Sequence, residues 1–237
     1  MRVDGRANDA LRDLRITPHF MPNSGGSCLI EWGNTRVLVT ANVENKVPPF
    51  LAGKGSGWLT AEYAMLPGST LGRKPRERQK SDSRSIEIQR LIGRSLRSVL
   101  DFEALGERMI TVDCDVIQAD GGTRTASITG GFIALGLLVR QLMSEGILEK
   151  NPIREYLAAV SAGIVDGEPL LDLCYQEDSR AEADMNFVGT EGSCISEIQI
   201  CGEKRAITDV EFANLLVACK TGVKQLIQKQ KEVLENL

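Results

Sequence analysis

The 237-residue chain has a single histidine, His19, and no two cysteines spaced C-x-x-C. One imidazole excludes multi-histidine metal sites, and a Ser-His-Asp triad would have to rest on that residue alone. His19 is read as structural. The six cysteines, Cys28, Cys114, Cys174, Cys194, Cys201 and Cys219, are scattered. They read as buried thiols in a reducing compartment, neither disulfide staples nor a zinc site. No apolar run approaches the ~20 residues that cross a bilayer. The start, Met1-Arg-Val-Asp-Gly-Arg6, carries charges where a signal peptide has its apolar core. A cytoplasmic location with no membrane contact is the expectation. What is present is globular in kind: 42% hydrophobic and 25% charged residues, enough to build a core and too apolar for disorder.

The formal net charge of −4 conceals an asymmetry. Residues 1–100 carry 16 Lys and Arg against 9 Asp and Glu, whereas residues 101–237 carry 12 against 23. An acidic chain organised this way can still present a basic surface to a polyanion. The densest segment, Arg73-Lys-Pro-Arg-Glu-Arg-Gln-Lys80, is either a solvated loop or such a contact, and composition alone leaves both open.

Periodicity supplies a coarse map. Cys28–Trp32 and Thr35–Thr40 flank Gly33-Asn34, a two-residue hairpin signal. Residues 46–57 read as a Pro- and Gly-rich loop, and Trp58–Leu66 as a strand. Ile88, Leu91, Ile92, Leu96, Val99 and Leu100 recur at helical steps within Ile86–Phe102, with Arg90, Arg94 and Arg97 on the opposite face. Met109–Ile117 reads as a strand, and a buried helix is expected from about Ser127 to Ser144. Two hairpins follow, around Asp166-Gly167 and Glu191-Gly-Ser193. Thr208-Asp-Val-Glu211 is a capping box opening a long C-terminal helix. Hairpins, helix, hairpins, helix suggest an α+β domain spanning 1–237 and made of two similar halves, about 1–145 and 146–237.

Two constellations carry possible chemistry. In Asp120-Gly-Gly-Thr-Arg-Thr-Ala-Ser127 two glycines free backbone N–H groups before a helix start, where anions are attracted. Thr123, Thr125 and Ser127 add hydroxyls, and Arg124 a planar fork for two phosphate oxygens. The run lacks the G-x-x-x-x-G-K-[ST] pattern, so it is not a Walker P-loop. An ordinary helix cap is the alternative. Asp172, Asp178 and Asp184 recur every six residues, with Glu177 and Glu182 nearby. On a straight strand neighbours in that series would stand roughly 20 Å apart. Asp178 and Asp184 can therefore share a cation only if the chain between them folds back, and a solvated acidic loop is the alternative. Oxygen ligands with open water positions would suit Mg²⁺ or Mn²⁺.

These residues sit in longer blocks. Arg2-x-x-Gly-Arg-Ala-Asn-Asp9, Gly57-Trp-Leu-Thr-Ala-Glu-Tyr63, Glu87–Arg97, Asp113–Gly130, Gly163–Gly167 and Asp184-Met-Asn186 together resemble the bacterial ribonuclease PH family along nearly the whole chain. The resemblance implies a duplicated ribosomal-protein-S5-like fold and a phosphorolytic 3′→5′ exoribonuclease, a tRNA nucleotidyltransferase. It would trim tRNA precursors, take part in rRNA processing, use inorganic phosphate as co-substrate and release nucleoside diphosphates. It implies a homo-hexamer built as a trimer of dimers. By the same resemblance Arg84, Gly122, Thr123 and Arg124 bind the attacking phosphate, and Asp178 and Asp184 are the catalytic, Mg²⁺-associated pair. Arg73, Arg76 and Arg78 fall in a segment that contacts RNA. Arg90, Arg94 and Arg97 are either RNA contacts or structural ion pairs, and the structural reading is preferred. There are departures. Asp82-Ser-Arg84 replaces the usual Gly-Gly-Arg, Gly68 stands where an arginine is common, and Ile200-Cys-Gly-Glu-Lys204 replaces a more usual Gly-Thr-Ala-Glu-Gly. Two rival readings are an inactive RNA-binding ring subunit, against which Arg124, Asp178 and Asp184 argue, and a hydrolytic nuclease, which has no use for a free-phosphate cradle.

Overall fold

Gly33 takes φ +56°, so Gly33-Asn34 reverses the chain and pairs Trp32 with Thr35 at the head of the first hairpin. The computed structural model describes residues 2–76 and 82–235. Its first sheet holds β1 (Leu14–Pro18), β2 (Gly26–Trp32), β3 (Thr35–Glu44) and β4 (Trp58–Met65). After β4 the helices α1 (Ser83–Arg97) and α2 (Phe102–Leu105) lead back to β5 (Met109–Gln118). The strand order is β1-β2-β3-β5-β4, antiparallel except for the β4–β5 pair, whose parallel register requires the helical crossover. Sequence periodicity missed β1, a five-residue edge strand ending at Pro18 that pairs only with β2.

The chain then runs through α3 (Thr123–Ser144) to β6 (Leu157–Val165) and β7 (Glu168–Leu171), α4 (Tyr175–Asp178), β8 (Ala183–Thr190), β9 (Ile195–Cys201) and α5 (Asp209–Glu235). The second sheet, β7-β6-β8-β9, is antiparallel throughout. The Asp166-Gly167 turn has positive φ at both residues, as a two-residue hairpin demands. Thr208 and Glu211 make the expected reciprocal cap, with Glu211 N–H donating to Thr208 Oγ1 at 3.2 Å and Thr208 N–H donating to Glu211 Oε2 at 2.8 Å. The architecture is α+β, as expected.

Helix α3 is the axle. It packs on β2 and β3 on one side and β6 on another, with α1 and α5 alongside. It is therefore apolar nearly all round rather than along one stripe. By length and composition α3 could cross a membrane, contrary to the reading that no run comes close, but 78% of its apolar window is buried inside the protein. It is a core helix. Strand β2 approaches it so closely that a Cβ on Gly26 would lie 2.0 Å from the Ala134 carbonyl oxygen. Strand β6 is buried at every position because α3 and α5 cover it from both sides. One apolar cluster runs through both sheets, from Cys28 and Trp32 to Met185 and Leu226. Each fully buried Leu or Ile in it contributes about 1.5–3 kcal/mol.

The N-terminal segment ties the two sheets together through charge. Arg2 donates from Nε and Nη2 to the two Glu177 oxygens at 2.9 and 2.7 Å, and from Nη1 to the Leu171 carbonyl at 2.8 Å. Both side chains are only 1% exposed. Burial drives the Glu177 carboxyl up, but its hydrogen bonds to Arg2 and the Cys174 N–H, with the Arg6 charge, hold it below the usual range. Its contribution to stability is thus full at neutral pH and is lost as the pH falls through that lowered value. Glu177→Ala, which strands a buried guanidinium, is expected to cost about 3–5 kcal/mol in urea unfolding. An unchanged midpoint and slope would show that the pair contributes nothing.

Candidate active site

The Asp120–Ser127 run divides at Gly122. Helix α3 starts at Thr123, four residues earlier than its pattern suggests, and Gly122 is its N-cap in the left-handed conformation, φ +65° and ψ 25°. Gly121 is left-handed as well, φ +74°, and a Cβ there would stand 2.5 Å from the Leu173 carbonyl oxygen. This close approach of loop and β7–α4 connection is the physical reason for glycine. The first N–H groups of the 22-residue α3 have no acceptor within the helix and lie at its positive end.

The hydroxyls are used differently from expectation. Thr125 donates to the Gly122 carbonyl at 2.9 Å and Ser127 to the Thr123 carbonyl at 2.8 Å, and both side chains are buried. They stabilise the helix start and are not anion donors. Thr123 Oγ1 lies 2.9 Å from the hydroxyl of Tyr63, the last residue of the Gly57–Tyr63 block. Burial pushes the Tyr63 phenol up, so it stays protonated and holds Thr123 in place. Arg124, at the second helical position, donates to Gln199 Oε1 at 3.1 Å and lies 3.6 Å from Glu87 Oε1.

Of the three aspartates, two reach the cleft. Asp172 takes φ +56° and is buried, accepting from Arg12 N, Nε and Nη2 at 2.7, 3.1 and 2.7 Å and from Trp32 Nε1 at 2.9 Å. Its lone pairs are spent on structure, which removes it from the cation constellation. Arg12 also donates to the Asp120 carbonyl at 2.5 Å, coupling this node to the loop that leads into α3. Asp178 ends α4, the chain folds back over the next residues, and Asp184 is the second residue of β8. Both line the same cleft, and the Asp178 charge acts on Asp184.

Arg84, Gly122, Thr123, Arg124, Asp178 and Asp184 line one open cleft of about 700 Å³. Asp178 keeps surface exposed to the cleft, yet crowding by the walls pushes its carboxyl above the usual range, against the pull of Arg84 and Arg124. Asp184 is also pushed up, first by burial and then by the charges of Asp178 and Glu203. Among the described residues its Oδ2 has a long 3.4 Å contact with Asn186 Nδ2, and its buried Oδ1 meets no hydrogen-bond donor. An acceptor left so is costly unless a cation fills the place. Carboxylate oxygens of this kind, Asp178 and Asp184 on one cleft, are donors that suit a hard divalent ion such as Mg²⁺ or Mn²⁺.

Thr70 to Gly72 and Lys74 line the cleft, and Arg73 and Arg76 are exposed beside them, so the described part of the basic segment lies at the rim. Arg78 lies outside the described residues. Arg94 is structural, making a bidentate pair with Glu197 at 2.7 and 2.8 Å. Arg97 lies over the Trp58 ring at 4.7 Å and donates to the Leu59 carbonyl. His19 is an exposed turn residue outside the cleft. Cys194 and Cys201 are exposed, a correction to the reading of all six cysteines as buried. Sequence spacing did not mark Tyr63, Arg12 or Glu203, because each reaches the site from a distant segment.

The comparisons with known proteins bear on this arrangement. Residues 10–139 match the 3′ exoribonuclease family, domain 1, and residues 155–222 match domain 2 of the same family. The chain belongs to the 3′ exoribonuclease family. Among its relatives in this family is Ribonuclease PH of Neisseria meningitidis serogroup B, 56% identical over 231 residues, covering 97% of this chain and 96% of that one. Ribonuclease PH of Solibacter usitatus is 52% identical over 237 residues, covering 99% and 100%. Among solved structures, rice (Oryza sativa) Rrp46 superposes with a TM-score of 0.80 at 16% identity, covering 98% of this chain and 100% of that one. The Archaeoglobus fulgidus exosome with RNA bound to the active site gives 0.80 at 21%, covering 96% and 92%. At those identities the two structures speak for the 3′ exoribonuclease fold alone.

Proposed function

We propose that the chain is a phosphate-dependent 3′→5′ exoribonuclease, a tRNA nucleotidyltransferase that trims the 3′ ends of tRNA precursors. The observation that carries the reading is that Arg84, Arg124 and the start of α3 line the same cleft as Asp178 and Asp184. The match to Ribonuclease PH over nearly the full length supports it.

In this reading the Gly122–Arg124 backbone, the Arg124 fork and Arg84 hold inorganic phosphate. One phosphate oxygen attacks the phosphorus of the last phosphodiester. The bond from that phosphorus to the 3′ oxygen of the preceding nucleotide breaks, and that oxygen leaves as the new RNA 3′-hydroxyl after taking a proton. The product is a nucleoside 5′-diphosphate. Phosphate already bears a nucleophilic oxygen at neutral pH, so no histidine base is needed; the protein's task is to position and neutralise two anions. Asp178 and Asp184 would hold the divalent cation, Mg²⁺ or Mn²⁺, which supplies charge neutralisation at the scissile phosphate.

The basic rim, Arg73 and Arg76 with Arg78 in the same segment, would guide the RNA strand. A homo-hexamer arranged as a trimer of dimers belongs to this reading. A role in rRNA processing and a cytoplasmic location belong to the same reading. The test is incubation of a 3′-extended tRNA with Mg²⁺, with and without phosphate. Nucleoside diphosphates formed only with phosphate are expected. Monophosphates formed without it would indicate hydrolysis, and no product would indicate a binding subunit.

A further inference from the structure

Three hydroxyls stand at the start of α3, and one of them is bonded unlike the others. Thr125 and Ser127 donate to the carbonyls of Gly122 and Thr123. Thr123 bonds instead across the fold, its Oγ1 lying 2.9 Å from the Tyr63 phenol oxygen. Strand alternation sets Tyr63 on the inner face of β4 with Leu59 and Ala61, so its ring is buried in the apolar core. Phenylalanine would fill that space as well. The added oxygen has Thr123 as its one hydrogen-bond partner among the described residues. The charges of Arg84 and Arg124 act on the phenol, so it stands close to both cleft arginines.

The direction of that bond decides what Thr123 can do. A phenol is the more acidic hydroxyl and the better donor, and an alkyl hydroxyl oxygen the better acceptor. With the Tyr63 proton on Thr123 Oγ1, the threonine's own proton is left to turn elsewhere. Among the described residues it meets no carbonyl acceptor, and Thr123 lines the cleft beside Gly122 and Arg124. We propose that Tyr63 is a positioning residue for the attacking phosphate. By donating to Thr123 Oγ1 it turns the threonine proton towards the cleft, as a donor to a phosphate oxygen. Two hydroxyls in series polarise one another, so the second donates more strongly than it would alone. Tyr63 thereby sets the affinity for inorganic phosphate without touching it, and takes no part in RNA binding. The proposal rests on the reading of Thr123 as part of the phosphate cradle.

The test titrates inorganic phosphate into the full chain by calorimetry, without RNA, and follows phosphorolysis in parallel. Tyr63→Phe should weaken phosphate binding roughly two- to tenfold, the worth of one neutral hydrogen bond. The phosphate KM should rise by the same factor, with kcat at saturating phosphate and the KM for RNA unchanged. Thr123→Val should lose at least as much, and adding Tyr63→Phe to it should cost nothing further. Thr123→Ser, which keeps the hydroxyl, should retain most of the affinity and its dependence on Tyr63. Circular dichroism and the urea midpoint of each variant confirm folding. Phosphate affinity in Tyr63→Phe equal to the parent's overturns the inference. So does a loss shared equally by kcat and the KM for RNA, the mark of a general disturbance. Phosphorolysis with a phosphate affinity untouched by Tyr63→Phe would refute this inference and leave the proposed function standing. Phosphate binding that depends on Tyr63 and Thr123 in a chain without phosphorolysis would do the reverse, and a parent that binds no phosphate would overturn both.

Discussion

Replacing Arg124 by alanine raises the phosphate concentration needed for half-maximal turnover by about ten- to a hundredfold, the worth of losing about 1.5–3 kcal/mol of charge-assisted hydrogen bonding. The magnitude follows from its position. Arg124 sits in the first turn of α3, and its guanidinium is anchored through Nη1 to Gln199 and lies near Glu87, with only 19% of the side chain exposed. That anchoring orders the fork before phosphate arrives, so binding spends little on fixing a long side chain. Arg124→Lys should recover only part of the loss, because a point charge replaces the two-pronged contact. Affinity for RNA, carried by other residues, should change little. Steady-state kinetics in phosphate at saturating RNA measures the effect. A phosphate dependence equal to that of the unaltered chain would remove Arg124 from the cradle.

Asp184→Asn is expected to abolish most turnover, about a hundred- to a thousandfold, which is the scale of losing one electrostatic contributor to a transition state. RNA binding should survive if, as proposed, the basic rim rather than a carboxylate meets the substrate's backbone. Stability adds an independent readout. Burial and the neighbouring charges of Asp178 and Glu203 push the Asp184 carboxyl up, so its charged form is worse off in the folded chain than in the unfolded one. A raised carboxyl of this kind weakens folding as the pH rises through its range to neutrality. Asparagine removes that penalty, and at neutral pH the variant should be as stable as the parent or more so. A residue whose loss disables the enzyme without destabilising it is poised for function. Activity within twofold of the parent would rule out the proposed role of Asp184.

The contrast between Asp172 and its two neighbours in the series shows where sequence reasoning stops. Their spacing is the same, but Asp172 is claimed by Arg12, 160 residues earlier, and by the Trp32 indole. Asp178 and Asp184 are brought together by the short helix α4 and the start of β8. No local pattern announces a partner so distant. The start of α3 shows a second limit. Thr123 and Thr125 look like loop residues because β-branched side chains disfavour helix. Once Gly122 caps the helix, the Thr125 and Ser127 hydroxyls bond back to helix carbonyls instead of facing an anion.

What was legible was written locally or in long ungapped blocks. The Gly33-Asn34 and Asp166-Gly167 turns, the Thr208–Glu211 cap and the strand alternation of Met109–Ile117 each depend on neighbouring residues. Tyr63 was less accessible. Its hydroxyl supports Thr123 from 60 residues away, across the parallel β4–β5 edge. Cys201 is seen to stand opposite Asp184 only once the β8–β9 register is known.

The central claim is that free phosphate is the nucleophile. The most direct measurement supplies radiolabelled inorganic phosphate with unlabelled 3′-extended tRNA and Mg²⁺, then separates the released nucleotides. The label should appear in the terminal phosphate of nucleoside diphosphates, in step with shortening of the RNA. Shortened RNA accompanied by unlabelled nucleoside monophosphates would contradict it.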